Sequence, residues 1–276
     1  MLKLRVVTAL MLLAVLLPVL FQPSPSPFIG LALVFLSAGV WEWGRMNGYP
    51  SRTSVLAGIA FGGVLLVGWL QWGLLGSFPV WAAAAVLWCL VVPLLLNKGV
   101  GAWGAVPQSV RMMTGVLVLA TAWLALAEAR STGINYLLSV MALVWTADVA
   151  AYFGGKAFGK RKLAPTISPG KSWEGALSGW VAVLLLAAIW IWIDAHVVTD
   201  SHSIYSSIYE RHPMLSWVVF SVLAALSVMG DLVESLVKRS AGVKDSSNLL
   251  PGHGGVLDRI DALLPVLPVA AFFSGI

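Results

Sequence analysis

Three aspartates stand where apolar side chains would be expected: Asp231 inside a long apolar run, and Asp258 and Asp261 at the head of another. An ionisable group in a membrane-length segment costs about 2.5–3.5 kcal/mol on insertion scales and usually marks function. Carboxylates drawn from two segments are hard oxygen donors of the kind that hold Mg²⁺ together with substrate phosphates. On a helix, Asp231, Glu234, Ser235 and Lys238 share one face, as do Asp258 and Asp261. Asp231 then lies about 12 Å from the helix end at Arg239, inside the bilayer boundary but within reach of water. The structural alternative is an intramembrane Asp231–Lys238 or Glu234–Lys238 pair that only holds a bundle together.

The flanking residues favour chemistry. Gly252-His253-Gly254-Gly255 precedes the Asp258 helix, and such a loop can present backbone N–H groups to phosphate oxygens. Lys238, Arg239, Lys244 and Arg259 supply the positive charge a triphosphate needs. His253 either orients phosphate or fits the turn. A second cluster begins with Asp148 and Tyr152, one helical turn apart, followed by Lys156 and the basic run Lys160-Arg161-Lys162. Ser168-Pro169-Gly170-Lys171-Ser172 then opens the next helix and can offer Lys171, hydroxyls and N–H groups to an anion. It is not a Walker A loop, because the glycine spacing fails and no strand precedes it. For the Lys160 run, contact with anionic lipid headgroups is an alternative.

These residues sit in a chain of 276 residues, 59% hydrophobic and 11% charged. Soluble domains carry about 25% charged residues, so the composition implies an all-α, polytopic transmembrane bundle. Spans of roughly 20 apolar residues fall at about 4–20, 28–45, 54–72, 78–96, 110–127, 134–155, 173–193, 213–237 and 258–275, nine in all. The first imitates a secretory signal, but a proline-rich turn at 22–27 without a cleavage site reads as a retained helix. With the N-terminus on side one, 15 of the 17 Lys and Arg fall on that side; only Arg130 and Arg211 do not. The positive-inside rule then makes the N-terminus cytoplasmic.

Residues 1–130 read as scaffold spans, with a weak Gly58-x-x-x-Gly62 packing motif and Glu42 between Trp41 and Trp43. Residues 131–276 carry the polar chemistry. The outer loop 194–212, with Asp194, His196, Asp200, His202, Glu210, Arg211 and His212, reads as a solvated connector whose histidines lack helical ligand spacing. The single cysteine, Cys89, forbids an intrachain disulfide. Without a basic stripe on a soluble surface, no nucleic-acid partner is expected.

The stretch Ser235-x-x-Lys238-Arg239, Lys244-Asp245, Pro251-x-His253-Gly254-Gly255-x-x-Asp258-Arg259-x-Asp261 resembles the signature of the phosphatidate cytidylyltransferases (CDP-diacylglycerol synthases). Asp148…Tyr152…Lys156 and Ser168-Pro169-Gly170-Lys171-Ser172-x-Glu174-Gly175 are similar to that family's segments as well. Ser247 stands where many members have Gly. The resemblance covers about residues 140–265. It implies CTP and phosphatidic acid as substrates, CDP-diacylglycerol and pyrophosphate as products, and a homodimer in a bacterial-type inner membrane with the site facing the cytoplasm. It also implies Mg²⁺ with K⁺ near Asp231, Asp258 and Asp261. Two other readings are a CTP-dependent polyprenol or phytol kinase, which releases CDP, and an ion-coupled transporter. A transporter favours midplane sites and internal repeats, and neither is visible.

Overall fold

Apolar segments of this length satisfy their backbone polar groups only by closing into helices, and the chain does so almost throughout. The computed structural model describes residues 2–73 and 76–276, with side chains from Val6 onward, so Lys3 and Arg5 lie outside the described side chains. Chain order is α1 (Leu2–Leu20), α2 (Ser26–Met46), α3 (Ser51–Trp72), α4 (Phe78–Val86), a π turn (Leu87–Val91), α5 (Val92–Lys98), α6 (Val100–Ala105), α7 (Gln108–Thr132) and α8 (Ile134–Phe158). A hairpin of β1 (Lys162–Ala164) and β2 (Ser168–Ser172) follows, then α9 (Trp173–His196), α10 (Ile204–Arg211), α11 (Ser216–Ser240), α12 (Leu257–Ile260) and α13 (Leu263–Ser274).

Prolines punctuate the helix starts. Pro79 sits at the head of α4, and Pro50 and Pro107 stand just before α3 and α7, where a missing N–H costs nothing. Pro93 follows the π turn, as expected where a ring interrupts the helical ladder.

Among the described residues, seven helices are long and apolar enough to cross a membrane: α2, α3, the composite Phe78–Lys98, α7, α8, α9 and α11. The first and last of the nine expected segments are shorter apolar helices in the described residues, over Val6–Leu20 and Leu263–Ser274. The last departs most from expectation. It does not run as one helix from Asp258; the chain turns at Asp261, whose Oδ1 accepts the N–H of Ala262 at 2.8 Å, and α13 then supplies 12 residues. Irregular backbone is tolerated at such depth only when enclosed by protein. Here α13 is sheathed by α4, α7, α8, α10 and α11, and Leu263 through Ala271 are all buried. Residues 257–262 therefore lie outside the apolar helix they introduce.

Two further expectations change. Ser168–Ser172 does not open a helix; it is a strand paired antiparallel with β1, Lys162 opposite Ser172 and Ala164 opposite Ser168. The turn at 165–167 reverses the chain, and Ser172 Oγ then caps α9 by accepting the Gly175 N–H at 3.2 Å. The outer loop is not wholly solvated, because α10 buries Ile204, Tyr205 and Ile208 completely. Its histidines are dispersed: His196 bonds Trp192 O and His202 faces Glu210.

Close helix contact sets the site's walls. α9 lies so near α8 that a Cβ at Gly175 or Gly179 would come within 2.7 and 2.8 Å of the Ala151 and Ala147 carbonyls, a small-residue packing suited to lipid. The expected Gly58 motif is used likewise, against Ser37 of α2. At the opposite end, α8 is capped from the outer loop. Asp200 accepts the Ile134 and Asn135 N–H groups, and Ser201 Oγ accepts that of Tyr136. Partial burial opposes ionisation, yet the Asn135 and Ile134 donors hold the Asp200 carboxyl below the ordinary aspartate range. Its stabilising contribution is therefore present above the unfolded value and lost as pH falls through the folded one. Asp200→Ala is expected to lower stability by about 1 kcal/mol near neutral pH. In detergent melts, the gap from wild type should close below pH of about 4.

Candidate active site

Asp231 and Asp261 meet because Gly230 lets two backbones touch. A Cβ at Gly230 would lie 2.3 Å from the Asp261 carbonyl oxygen and 2.9 Å from Ala262 Cα, so α11 rests directly on the turn before α13. Asp231 Oδ2 pairs with Lys171 Nζ of β2 at 2.6 Å, and Ser235 Oγ donates to its Oδ1 at 3.2 Å. Burial and the neighbouring Asp231 and Asp148 carboxylates push the Asp261 carboxyl well above the usual range. A cavity of about 620 Å³ opens beside this group, lined by Asp148, Tyr152, Lys156, Ser168, Lys171 and Asp231 among others. Segments 83 residues apart in sequence, at Asp148 and Asp231, thus share one wall.

One helical turn along α11 a second network begins. Lys238 Nζ lies 2.5 Å from Glu234 Oε2 and 2.6 Å from Asp258 Oδ1. The other Asp258 oxygen accepts from the Ser246 N–H (2.9 Å), Ser246 Oγ (2.8 Å) and the Gly255 N–H (2.8 Å). Burial alone would raise its pKa, but Lys238, Gly255 and Ser246 hold the Asp258 carboxyl down at about 2. The Glu234–Lys238 pair expected as a structural alternative therefore exists, and it extends to Asp258. Lys238, expected to meet a triphosphate, bridges these two acids in the structure.

The glycine-rich loop also differs from expectation. Its Gly255 N–H donates to Asp258, and just beyond it the Val256 and Leu257 N–H groups donate to Glu42 at 2.9 and 2.8 Å. Gly252 and Gly254 adopt positive φ (+77° and +83°), closing the turn that makes this possible. His253 N–H bonds Leu250 O, and its Nδ1 is buried without a partner.

The remaining expected residues divide by location. Tyr152, Ser168 and Ser172 line the carboxylate cavity with Lys171. Glu174 spends its oxygens on the N–H groups of Lys160 and Arg161, so it braces the basic loop. Lys244 and Asp245 line another cleft, with Arg45 and Trp41. Arg239 donates to Val243 O at 3.1 Å, and Arg259 is exposed at the head of α13's approach. Glu42 is the acid that spacing alone left without a role; its signal was a carboxylate in an apolar run.

The donor set fits a divalent cation. Five carboxylates (Asp148, Asp231, Glu234, Asp258 and Asp261) face two ammonium groups (Lys171 and Lys238), and among the described residues Glu234 Oε1 is buried with no hydrogen-bond partner. Uncompensated buried charge is costly, and all donors are hard oxygens suited to Mg²⁺. Among the described residues, no three His, Cys, Asp or Glu side chains stand arranged to hold a metal ion by themselves. Mg²⁺ commonly takes only one or two carboxylates and completes its shell with substrate phosphates and water.

Known proteins match this sequence over nearly its whole length. The family model described as "Cytidylyltransferase family" matches residues 3–276. A Pseudomonas aeruginosa protein named phosphatidate cytidylyltransferase is 40% identical over 275 residues, covering 98% of this chain and 96% of that protein. A Haemophilus influenzae protein of the same name is 37% identical, covering 99% and 98%. This apolar bundle with its carboxylate-lined cavity belongs to the cytidylyltransferase family.

Proposed function

We propose that this chain transfers the cytidylyl group of CTP to phosphatidate, giving CDP-diacylglycerol and pyrophosphate for phospholipid synthesis. The observation that carries the reading is the cavity in which Asp148 and the Asp231–Lys171 pair face each other beside Asp261. Two relatives so named, matching almost end to end, support the substrates.

Phosphatidate is already an oxyanion, so no Ser or His is needed to create the nucleophile. One of its phosphate oxygens attacks the α-phosphorus of CTP, and the bond to the β-phosphate breaks to release pyrophosphate. The chain's task is to bring two polyanions together and in line. Lys171, with Ser168, Ser172, Lys156 and Tyr152, receives phosphate groups in the cavity, while Arg239, Lys244 and Arg259 meet the triphosphate from the water side. Lys238 holds Asp258 and Glu234 in place. Asp231, Asp258 and Asp261 are the residues to hold Mg²⁺, with K⁺ alongside; bound there, the cation neutralises the polyphosphate charge.

The chain crosses a bacterial inner membrane nine times with the N-terminus and the site on the cytoplasmic side, as the 15-to-2 partition of basic residues supports. Residues 1–130 act as scaffold, residues 131–276 carry the chemistry, and the protein works as a homodimer. Purified protein should label phosphatidate in preference to a polyprenol or phytol when offered radiolabelled CTP and Mg²⁺. Label entering only the alcohol would replace this reading with that of a lipid kinase.

A further inference from the structure

The carboxylate of Glu42 is the least expected charge in the molecule. It lies in α2, among the scaffold helices, and is fully buried. Both oxygens are saturated by the signature loop 204–215 residues away. Oε1 accepts from Ser247 Oγ (2.6 Å) and the Val256 N–H (2.9 Å), and Oε2 from Ser246 Oγ (3.2 Å) and the Leu257 N–H (2.8 Å). A Cβ at Gly255 would come within 2.3 Å of Glu42 Oε1, so the loop is folded tightly around this one side chain. A hydroxyl has one proton, and Ser246 Oγ sits between Glu42 and, at the shorter 2.8 Å, Asp258. That proton serves one carboxylate at a time, so the lasting link is the loop itself: its Ser246 and Gly255 N–H groups donate to Asp258 at 2.9 and 2.8 Å, while Ser247 Oγ and the Val256 and Leu257 N–H groups hold Glu42.

We propose that Glu42 is a positioning residue for cytidylyl transfer: from outside the signature, it fixes loop 246–257 and thereby the place of Asp258 against Lys238. This rests on reading the acid cluster as the active site. A buried carboxylate is retained only when its donors are complete, and each donor here belongs to one loop. Glu42 touches neither cavity nor substrate, so it acts only through the residues it holds.

Glu42→Gln keeps size but turns an NH₂ toward N–H and O–H donors, which it cannot accept from. Glu42→Asp keeps the charge and withdraws it by one methylene. For the full-length protein in detergent or nanodiscs, both should lower kcat for CDP-diacylglycerol formation roughly 10- to 100-fold, the scale set by ångström misplacement of reacting groups. KM for CTP and phosphatidate should change by less than about threefold, because no binding contact is lost. Hydrogen exchange should quicken in peptides covering 246–257 while those of α11 stay protected.

Should Glu42→Gln fail to fold, Glu42→Asp decides. Wild-type kcat in a folded variant overturns the proposal, whatever the exchange shows. If wild-type protein forms no CDP-diacylglycerol, the enzymatic reading fails and the positioning role falls with it; an active wild type with an equally active, folded Glu42→Asp overturns the positioning role alone.

Discussion

Asp261→Asn is expected to abolish turnover while making the protein more resistant to heat. The two effects share a cause. Asp261 is pressed by burial and by the Asp231 and Asp148 carboxylates, and its own protein donor is only the adjacent Ala262 N–H. A neutral amide of the same shape removes that repulsion, so melts without divalent cation should shift upward, by roughly 2–4 °C for each kcal/mol relieved. Activity should fall by on the order of 10²–10³-fold, the range seen when one preorganised electrostatic group is removed. Asp231→Asn should lose activity similarly but melt lower, because it strips Lys171 of its 2.6 Å partner. Residues conserving stability at the expense of function would behave in the reverse order, with both substitutions lowering the melt and sparing turnover.

Gly230→Ala is expected to cripple the enzyme without touching a charge. The added methyl would sit 2.3 Å from the Asp261 carbonyl and 2.9 Å from Ala262 Cα, backbone atoms that cannot rotate aside. Either α11 or the turn before α13 must move. Overpacking of this kind costs about 1–3 kcal/mol, and an ångström of separation between Asp231 and Asp261 can cost about 10²-fold in rate. Gly63→Ala in α3 is the control: nothing lies within 4 Å of its Cβ, so activity should be unchanged. Equal activity in the two variants would show that backbone contact at Gly230 does not set the acid geometry.

Much of this arrangement is legible in the chain. Apolar run lengths locate the seven long helices to within a few residues, and acids inside or at the head of apolar runs mark Asp231, Asp258 and Asp261. The resemblance around Ser168–Gly175 and Ser235–Asp261 adds the chemistry. What escapes is whatever depends on distant partners. Spacing makes Gly252–Gly255 an anion cradle, but its Gly255 amide is claimed by Asp258, and the Val256 amide just beyond it by Glu42, 214 residues away. The strand Ser168–Ser172 is too short, and too rich in Pro and Gly, to display an alternating pattern. The break at Asp261 is concealed because Leu263–Ser274 continues the apolar run, and only its enclosure by five helices permits the turn. Lys238 shows the same limit: its place on the Asp231 face is visible, but its commitment to Asp258 is a tertiary fact.

The most direct measurement follows two labels. Wild-type protein is given phosphatidate, Mg²⁺ and CTP carrying ³²P at either the α- or the γ-phosphate. Cytidylyl transfer predicts that α-label enters the lipid and γ-label appears in pyrophosphate, both lost in Asp261→Asn. Recovery of γ-label in the lipid with release of CDP would contradict it, as would full activity in Asp261→Asn.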